Sequence, residues 1–210
     1  AEEQSQYING VTQINGYTEF EQPQVIENQD MAQLGYSDIR AYEIENAGEL
    51  AWFVQHFYAG DLETQNVSLA DNIDMSALAA YSWTPLGYYN VETQTGKSYD
   101  GVFDGNGYSI SNIILNQING VDLVSKVSEE QAAVLGTQPI ENIAQNALAG
   151  VFGYIGSAGH VTELKLENTS ITSNADAGVL TGRNEGSISA CVTSGASVTS
   201  SKSEIGRAHV

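Results

Sequence analysis

The chain has 210 residues, with 7 basic against 26 acidic side chains and a formal net charge of −19 at pH 7. That balance repels nucleic-acid phosphates and anionic membranes, so nucleic-acid binding is excluded as a function class. The single cysteine, Cys191, has no internal disulfide partner, no Cys/His spacing suits zinc, and no apolar run reaches the roughly 18–20 residues of a membrane span.

The length suits one sizeable domain with its own core, and 21 glycines against 3 prolines argue against a Pro-rich disordered tail. The acid is concentrated at the start. Ten carboxylates fall within residues 1–49 (Glu2, Glu3, Glu19, Glu21, Glu27, Asp30, Asp38, Glu43, Glu45, Glu49), against one base, Arg40. A solvated acidic face accounts for this better than a dedicated cation site. The start at Ala1 without Met fits a removed signal peptide or a clipped fragment, and no sorting signal shows at either end.

Residues 1–40 show no sustained period and read as an acidic, partly ordered lead-in with one or two edge strands. In "YEIENAGELAWFVQHFYAGD" (42–61), Tyr42 and Ile44 alternate with Glu43 and Glu45, which predicts a short strand. Asn46 and Glu49 then form an N-x-x-E helix start. Leu50, Phe53, Val54 and Phe57 follow at i, i+3, i+4 and i+7, and Gly60 ends the helix. Its aromatics, with His56 among them, are expected to pack as core. Val67, Leu69, Ile73 and Met75 again alternate, and Pro85-Leu86-Gly87 marks a turn.

From Gly101 onward short apolar triplets are separated by glycine turns, and the text repeats. Gly150, Val151 and Phe152 of "GVFGYIGSAGHVTELKLENTSI" match Gly178, Val179 and Leu180 of "GVLTGRNEGSISACVTSGASV". Further along, Gly159 matches Gly186, Val161 matches Ile188, Leu164 matches Cys191 and Ile171 matches Val198, a period of 27–28 residues. Ile110, Ile113 and Leu115 align with Val161, Leu164 and Leu166 as an earlier unit, set apart by an insertion over 119–148. Within it, Ser128-x-x-Gln131 predicts a helical turn or two. Units this short cannot bury an apolar side alone, so they are expected to stack with like residues over like at ~4.8 Å, glycines turning the corners. A solenoid is favoured over a sandwich.

The ordered stretches "YEIENAGELAWF", "VSLADNIDMS…WTPLG", "YDGVFDGNGYSISNIIL", "AGVFGYIGSAGHVTELKLENTSI" and "AGVLTGRNEGSISACVTSGASV" resemble the GLUG-motif proteins over about residues 42–200. These are bacterial surface and secreted proteins whose repeats are similar to those of filamentous-haemagglutinin-type adhesins and also precede IgA-specific metallopeptidases. The resemblance implies an all-β, right-handed parallel β-helix over 41–203, an extracellular or cell-surface setting, no catalysis and no cofactor. Thr181-Gly182 and the 119–148 insertion depart from the pattern. Residues 204–210 (EIGRAHV) have no place in it and read as a non-native tail, so Arg207 and His209 carry no functional reading and the natural protein is expected to continue.

Site chemistry was sought and not found. In "DGVFDGNGYSISNIIL" an EF-hand register from Asp104 meets Tyr108 and Leu115 where oxygen ligands belong, and one from Asp100 meets Val102. A P-loop lacks its Lys. "DGNG" fits a turn instead, with Asp104 bonding backbone two residues on and Asn106-Gly107 taking positive φ. A nonstandard calcium site at Asp71, Asp74 or Asp104 is the remaining metal option. H-E-x-x-H and G-x-S-x-G are both absent, and His56 and His160 fall in no motif. Glu163, Lys165 and Glu167 face outward, but one repeat later stand Ala190 and Val192, so no acidic ladder of the polysaccharide-lyase kind builds up. The expected function is therefore that of a scaffold or adhesin-like region with multivalent contacts to a host or cell-surface protein or glycan. Two alternatives stand beside it: a non-catalytic part of a larger secreted peptidase, and a carbohydrate-active β-helix.

Overall fold

The structure, a computed structural model, describes residues 7–14, 17–60, 62–120, 123 and 147–201. The chain opens with β1 (Val11–Ile14), β2 (Tyr17–Phe20), β3 (Gln24–Glu27), helix α1 (Gln29–Gln33), β4 (Arg40–Ile44) and helix α2 (Ala47–Ala59). Then come β5 (Asn66–Leu69), β6 (Ile73–Asp74), a 3-10 turn at Met75–Leu78, β7 (Tyr88–Asn90) and β8 (Thr95–Lys97). Next are β9 (Val102–Asp104), β10 (Ser109–Ser111), β11 (Ile114–Asn116), β12 (Phe152–Ile155), β13 (His160–Thr162), β14 (Lys165–Glu167) and β15 (Ser170–Ser173). The last four are β16 (Thr181–Asn184), β17 (Ser187–Ser189), β18 (Val192–Ser194) and β19 (Ser197–Ser200). The fold is all-β, and none of its sheets closes on itself.

Strands pair across repeats rather than with their neighbours in sequence. The sheets run β17-β13-β9-β5-β4-β3, β18-β14-β10-β6, β11-β15-β19 and β12-β16. Every pairing in them is parallel except that of β3 with β4. Val161 lies beside Ile188 and Ile171 beside Val198, an offset of 27 residues in each ladder. The reason is alternation: each three-residue strand turns one apolar side chain inward, and only registers that keep those side chains on one face bury them. The inward columns are Tyr42, Val67, Phe103, Val161 and Ile188 in the first sheet, then Ile73, Ile110 and Leu166 in the second. Leu115, Ile171 and Val198 form the third. All contribute to one continuous core, where Phe103 meets Phe152 edge-on at 5.2 Å and the fully buried Tyr99 donates its hydroxyl to the Gln65 carbonyl at 2.9 Å.

Two parts of the repeat alignment need correction. The early unit is one strand out of step: Ile110 pairs with Leu166 and Leu115 with Ile171, while Phe103 is the partner of Val161. The turn Gly105–Tyr108 is two residues longer than its counterpart at Glu163–Leu164, and that extra length shifted the sequence match. Likewise Phe152 lies beside Thr181 rather than Leu180. The Ser128-x-x-Gln131 segment lies outside the described residues.

Glycine is not what bends most corners. Between the first and second sheets Glu163 (φ 52°) and Ala190 (φ 52°) take the left-handed conformation at equivalent positions. Between the second and third, Asn112 (φ 61°), Asn168 (φ 54°) and Gly195 (φ 63°) do so. Asparagine tolerates this region through local hydrogen bonds, and alanine does not. Gly101 and Gly105 have no positive φ; a Cβ on Gly105 would stand 2.5 Å from the Glu163 carbonyl oxygen, so close backbone approach is what excludes a side chain there.

Helix α2 begins as predicted. The Asn46 side chain accepts from Glu49 N at 2.9 Å, and Glu49 Oε2 accepts from Glu45 N at 2.7 Å. The second and third sheets end at β6 and β11, with no strand beyond them in the turn of chain that follows β4. Helix α2 occupies that stretch and buries Leu50, Phe53, Val54 and Phe57 fully, so it covers this end of the core. At the other end β16–β19 are edge strands, and Ile188 and Val198 are only half-buried.

The acidic lead-in holds more order than one or two edge strands. Beyond the β1–β2 hairpin, β3 extends the six-stranded sheet and α1 folds back over its outer face, with Met31 fully buried against Ala41 and Val102.

Two corner substitutions are expected to act in opposite directions. Ala190→Gly relieves the left-handed alanine and should raise stability by about 0.5–1 kcal/mol, while Gly105→Ala should lower it by about 2–3 kcal/mol; denaturant midpoints check both. Glu49 gives a pH test. Burial raises its carboxyl to about 7, opposed by the Glu45 amide and assisted by the charges of Glu21, Glu45 and Glu43. The folded state thus holds a proton that the unfolded chain releases near its model value of 4.5, so this contribution is present at low pH and is lost as pH rises through about 7. Glu49→Gln should be close to wild type in stability near about pH 4 and more stable near about pH 8, as read by guanidinium denaturation.

Candidate functional site

Where the α1 excursion stops, the six-stranded sheet presents its outer face. Two outward columns cross it: Ala41, Asn66, Val102, His160 and Ser187, and beside them Glu43, Ser68, Asp104, Thr162 and Ser189. The excursion covers the β4–β9 part. Asn28, which caps α1 through its side-chain oxygen on Asp30 N (3.0 Å), spends its Nδ2 on Ser68 Oγ and Asp104 Oδ2, both at 3.2 Å. Asp104 Oδ1 accepts from Asn106 N at 2.8 Å, the turn bond expected of "DGNG", with Asn106 (φ 51°) and Gly107 (φ 79°) both left-handed. Asp104 is therefore buried and satisfied as a structural carboxylate.

Beyond it lies a polar step. Tyr36 stands as the wall, and its hydroxyl is 2.6 Å from His160 Nδ1. His160 Nε2 lies 2.9 Å from Ser189 Oγ, and Ser189 Oγ lies 3.0 Å from Thr162 Oγ1. Burial raises the Tyr36 phenol, so it keeps its proton and donates to Nδ1. Nε2 then carries the imidazole proton and donates to Ser189, which in turn donates to Thr162. The relay runs one way, and in that arrangement the imidazole has no free lone pair to accept the serine proton. A serine nucleophile would need the opposite tautomer. Its chemistry is that of half-exposed hydroxyl and imidazole groups held in fixed directions.

The other candidates are dispersed. Asp71 Oδ1 accepts from Asn72 N at 2.7 Å. Asp74 caps the 3-10 turn through Ser76 N and accepts from Asn112 at 2.8 Å, which with its other hydrogen bonds holds its carboxyl below the usual range. Among the described residues no three His, Cys, Asp or Glu side chains gather as a metal site. Glu163, Lys165 and Glu167 are exposed as expected, and their neighbours along the ladder are Val192 beside Lys165 and Ser194 beside Glu167. His56 stacks on Trp52 at 3.7 Å, and its burial lowers its pKa. Cys191 is half-buried and its thiol is raised by burial.

The His160–Ser189–Thr162 part of the step follows from the 27-residue register, which sets Thr162 beside Ser189. Tyr36 carried no signal, since it is 124 residues from His160 and reaches it only through the excursion.

The chain is thus an all-β protein of parallel ladders joined by left-handed corners. It is 28% identical over 156 residues, 73% of its length, to Halomucin of Haloquadratum walsbyi (strain DSM 16790 / HBSQ001). It spans about 1% of the length of that protein. No protein-family model and no solved structure matches the chain. Among the described residues no helix is long and apolar enough to cross a membrane.

Asn28→Ala should be the most damaging polar change at this face. It removes a helix cap and leaves Asp104 and Ser68 without a buried donor, an expected loss of about 2–4 kcal/mol in denaturant unfolding, with the far-UV spectrum unchanged in the absence of denaturant.

Proposed function

We propose that the chain is a non-catalytic segment of an extracellular or cell-surface protein of the GLUG-motif kind, built as a parallel β-helix and serving as scaffold or adhesive stalk. The observation that carries this is the pairing of each strand with its equivalent 27 residues along, at Val161–Ile188 and Ile171–Val198. That pairing makes each outer face a repeated surface of Ser, Thr and Asn side chains instead of a single cleft. The one-way relay at Tyr36, which leaves Ser189 without a base, and the absence of clustered metal ligands among the described residues support a contact role over a reaction. Similarity to a segment of Halomucin supports a place within a much longer protein. The charge of −19 suits a surface that stays soluble and rejects nonspecific polyanions.

Antibody raised against the chain should label intact, unpermeabilised producing cells or their secreted material, and brief external proteolysis should remove the cell-bound label. Label that appears only after permeabilisation would overturn the reading.

A further inference from the structure

A second side-chain cluster lies on the β12–β16 pair, apart from the Tyr36 step. Tyr154 and Arg183 are register partners on adjacent strands. The β7–β8 hairpin lays Tyr89 against them and is itself tied down, since Leu148 N donates to the Tyr89 carbonyl at 3.0 Å and Asn90 bridges Ala147. The Arg183 guanidinium sits 4.0 Å from the centre of the Tyr89 ring and 5.2 Å from that of Tyr154, and the two rings meet edge-on at 5.6 Å and 73°. Glu185 completes the group: its Oε1 accepts from Arg183 Nε at 3.0 Å and from Nη2, and its Oε2 accepts from the Tyr154 hydroxyl at 2.8 Å. Both rings are half-exposed.

We propose that Tyr89, Tyr154, Arg183 and Glu185 form a binding site for a neutral pyranose unit of a glycan chain. The proposal names a ligand class for the contact role proposed above and rests on that reading.

Three features select this ligand. Arg183 is already neutralised by Glu185, and the chain carries −19 overall, so a polyanion finds no net positive charge at the patch. A protein partner would need a dry apolar centre. Of the large exposed apolar side chains among the described residues, only Val91, in the hairpin turn, comes from an element of the patch. What the patch does offer is aromatic surface beside a planar donor fork and a carboxylate. Aromatic rings take the C–H face of a pyranose, and a guanidinium and a carboxylate in one plane give donor and acceptor pairs to adjacent hydroxyls. The four side chains are held to one another and to paired strands, so little conformational freedom is lost on binding.

The test is calorimetric titration of the whole chain with cellohexaose, maltohexaose, xylohexaose and polygalacturonate, each taken separately. The expected result is saturable binding of at least one neutral oligosaccharide and weaker or no binding of polygalacturonate. Tyr89→Ala should weaken that binding at least about tenfold. Arg183→Lys should also weaken it, because the charge survives but the planar stack does not. Lys165→Ala, on an exposed strand outside the patch, should leave it unchanged. If Tyr89→Ala disturbs the hairpin, Arg183→Lys with a wild-type far-UV spectrum decides the matter. No binding of any neutral oligosaccharide, tighter binding of polygalacturonate, or binding that survives both patch variants overturns the proposal. Surface labelling that persists beside a null titration would remove the glycan site and leave the scaffold reading intact.

Discussion

The backbone hydrogen bonds of the parallel ladders are the constraint on which the rest of this structure depends. Strands of three or four residues have too little apolar surface to hold together as hairpins, and β9 to β19 find their ladder partners only in the equivalent strands of neighbouring turns of chain. Once Val161 is set beside Phe103 and Ile188, the inward columns, the left-handed corners and the outward polar columns all follow from alternation. The cost of the arrangement falls on its two ends. At one, α2 stands where strands would run and buries its aromatics against the first turn; at the other, β16 to β19 keep an open edge.

Much of this was legible in the sequence, because one physical regularity writes itself twice. A side chain that must sit over its equivalent recurs at a fixed spacing, so the Val161–Ile188 and Ile171–Val198 pairs were readable directly. Helix α2 was equally readable, since its cap and its 3.6-residue period act within a single element. The early unit was harder. Its corner, Gly105 to Tyr108, is longer than its counterpart, and a matching of apolar triplets has no way to see a change confined to a turn. The corners also misled through glycine: Glu163 and Ala190 accept a left-handed backbone because stacking on neighbouring turns leaves them no other path.

The polar clusters divide along the same line. Thr162 beside Ser189 and Tyr154 beside Arg183 are consequences of register, hence visible in principle from the repeat. Tyr36 and Tyr89 arrive from outside the repeat, on an N-terminal excursion and on an antiparallel hairpin, and no periodicity predicts where such segments land. The half-exposed polar groups of the outer surface gather where an irregular segment settles on a regular ladder. The ladder supplies fixed columns and the added segment supplies the side chain that breaks their uniformity.

The 27-residue offset also sets how the molecule answers to force. Each strand is bonded to those one turn before and after it, so tension on the open edge meets the few hydrogen bonds of a single turn at a time rather than loading all the ladders in shear. Turns would peel singly, each releasing 27 residues, or about 90 Å of extended chain. A chain of this kind yields in equal steps and absorbs work at each one, while helix α2 and the antiparallel β3–β4 pair at the far end stay folded until last.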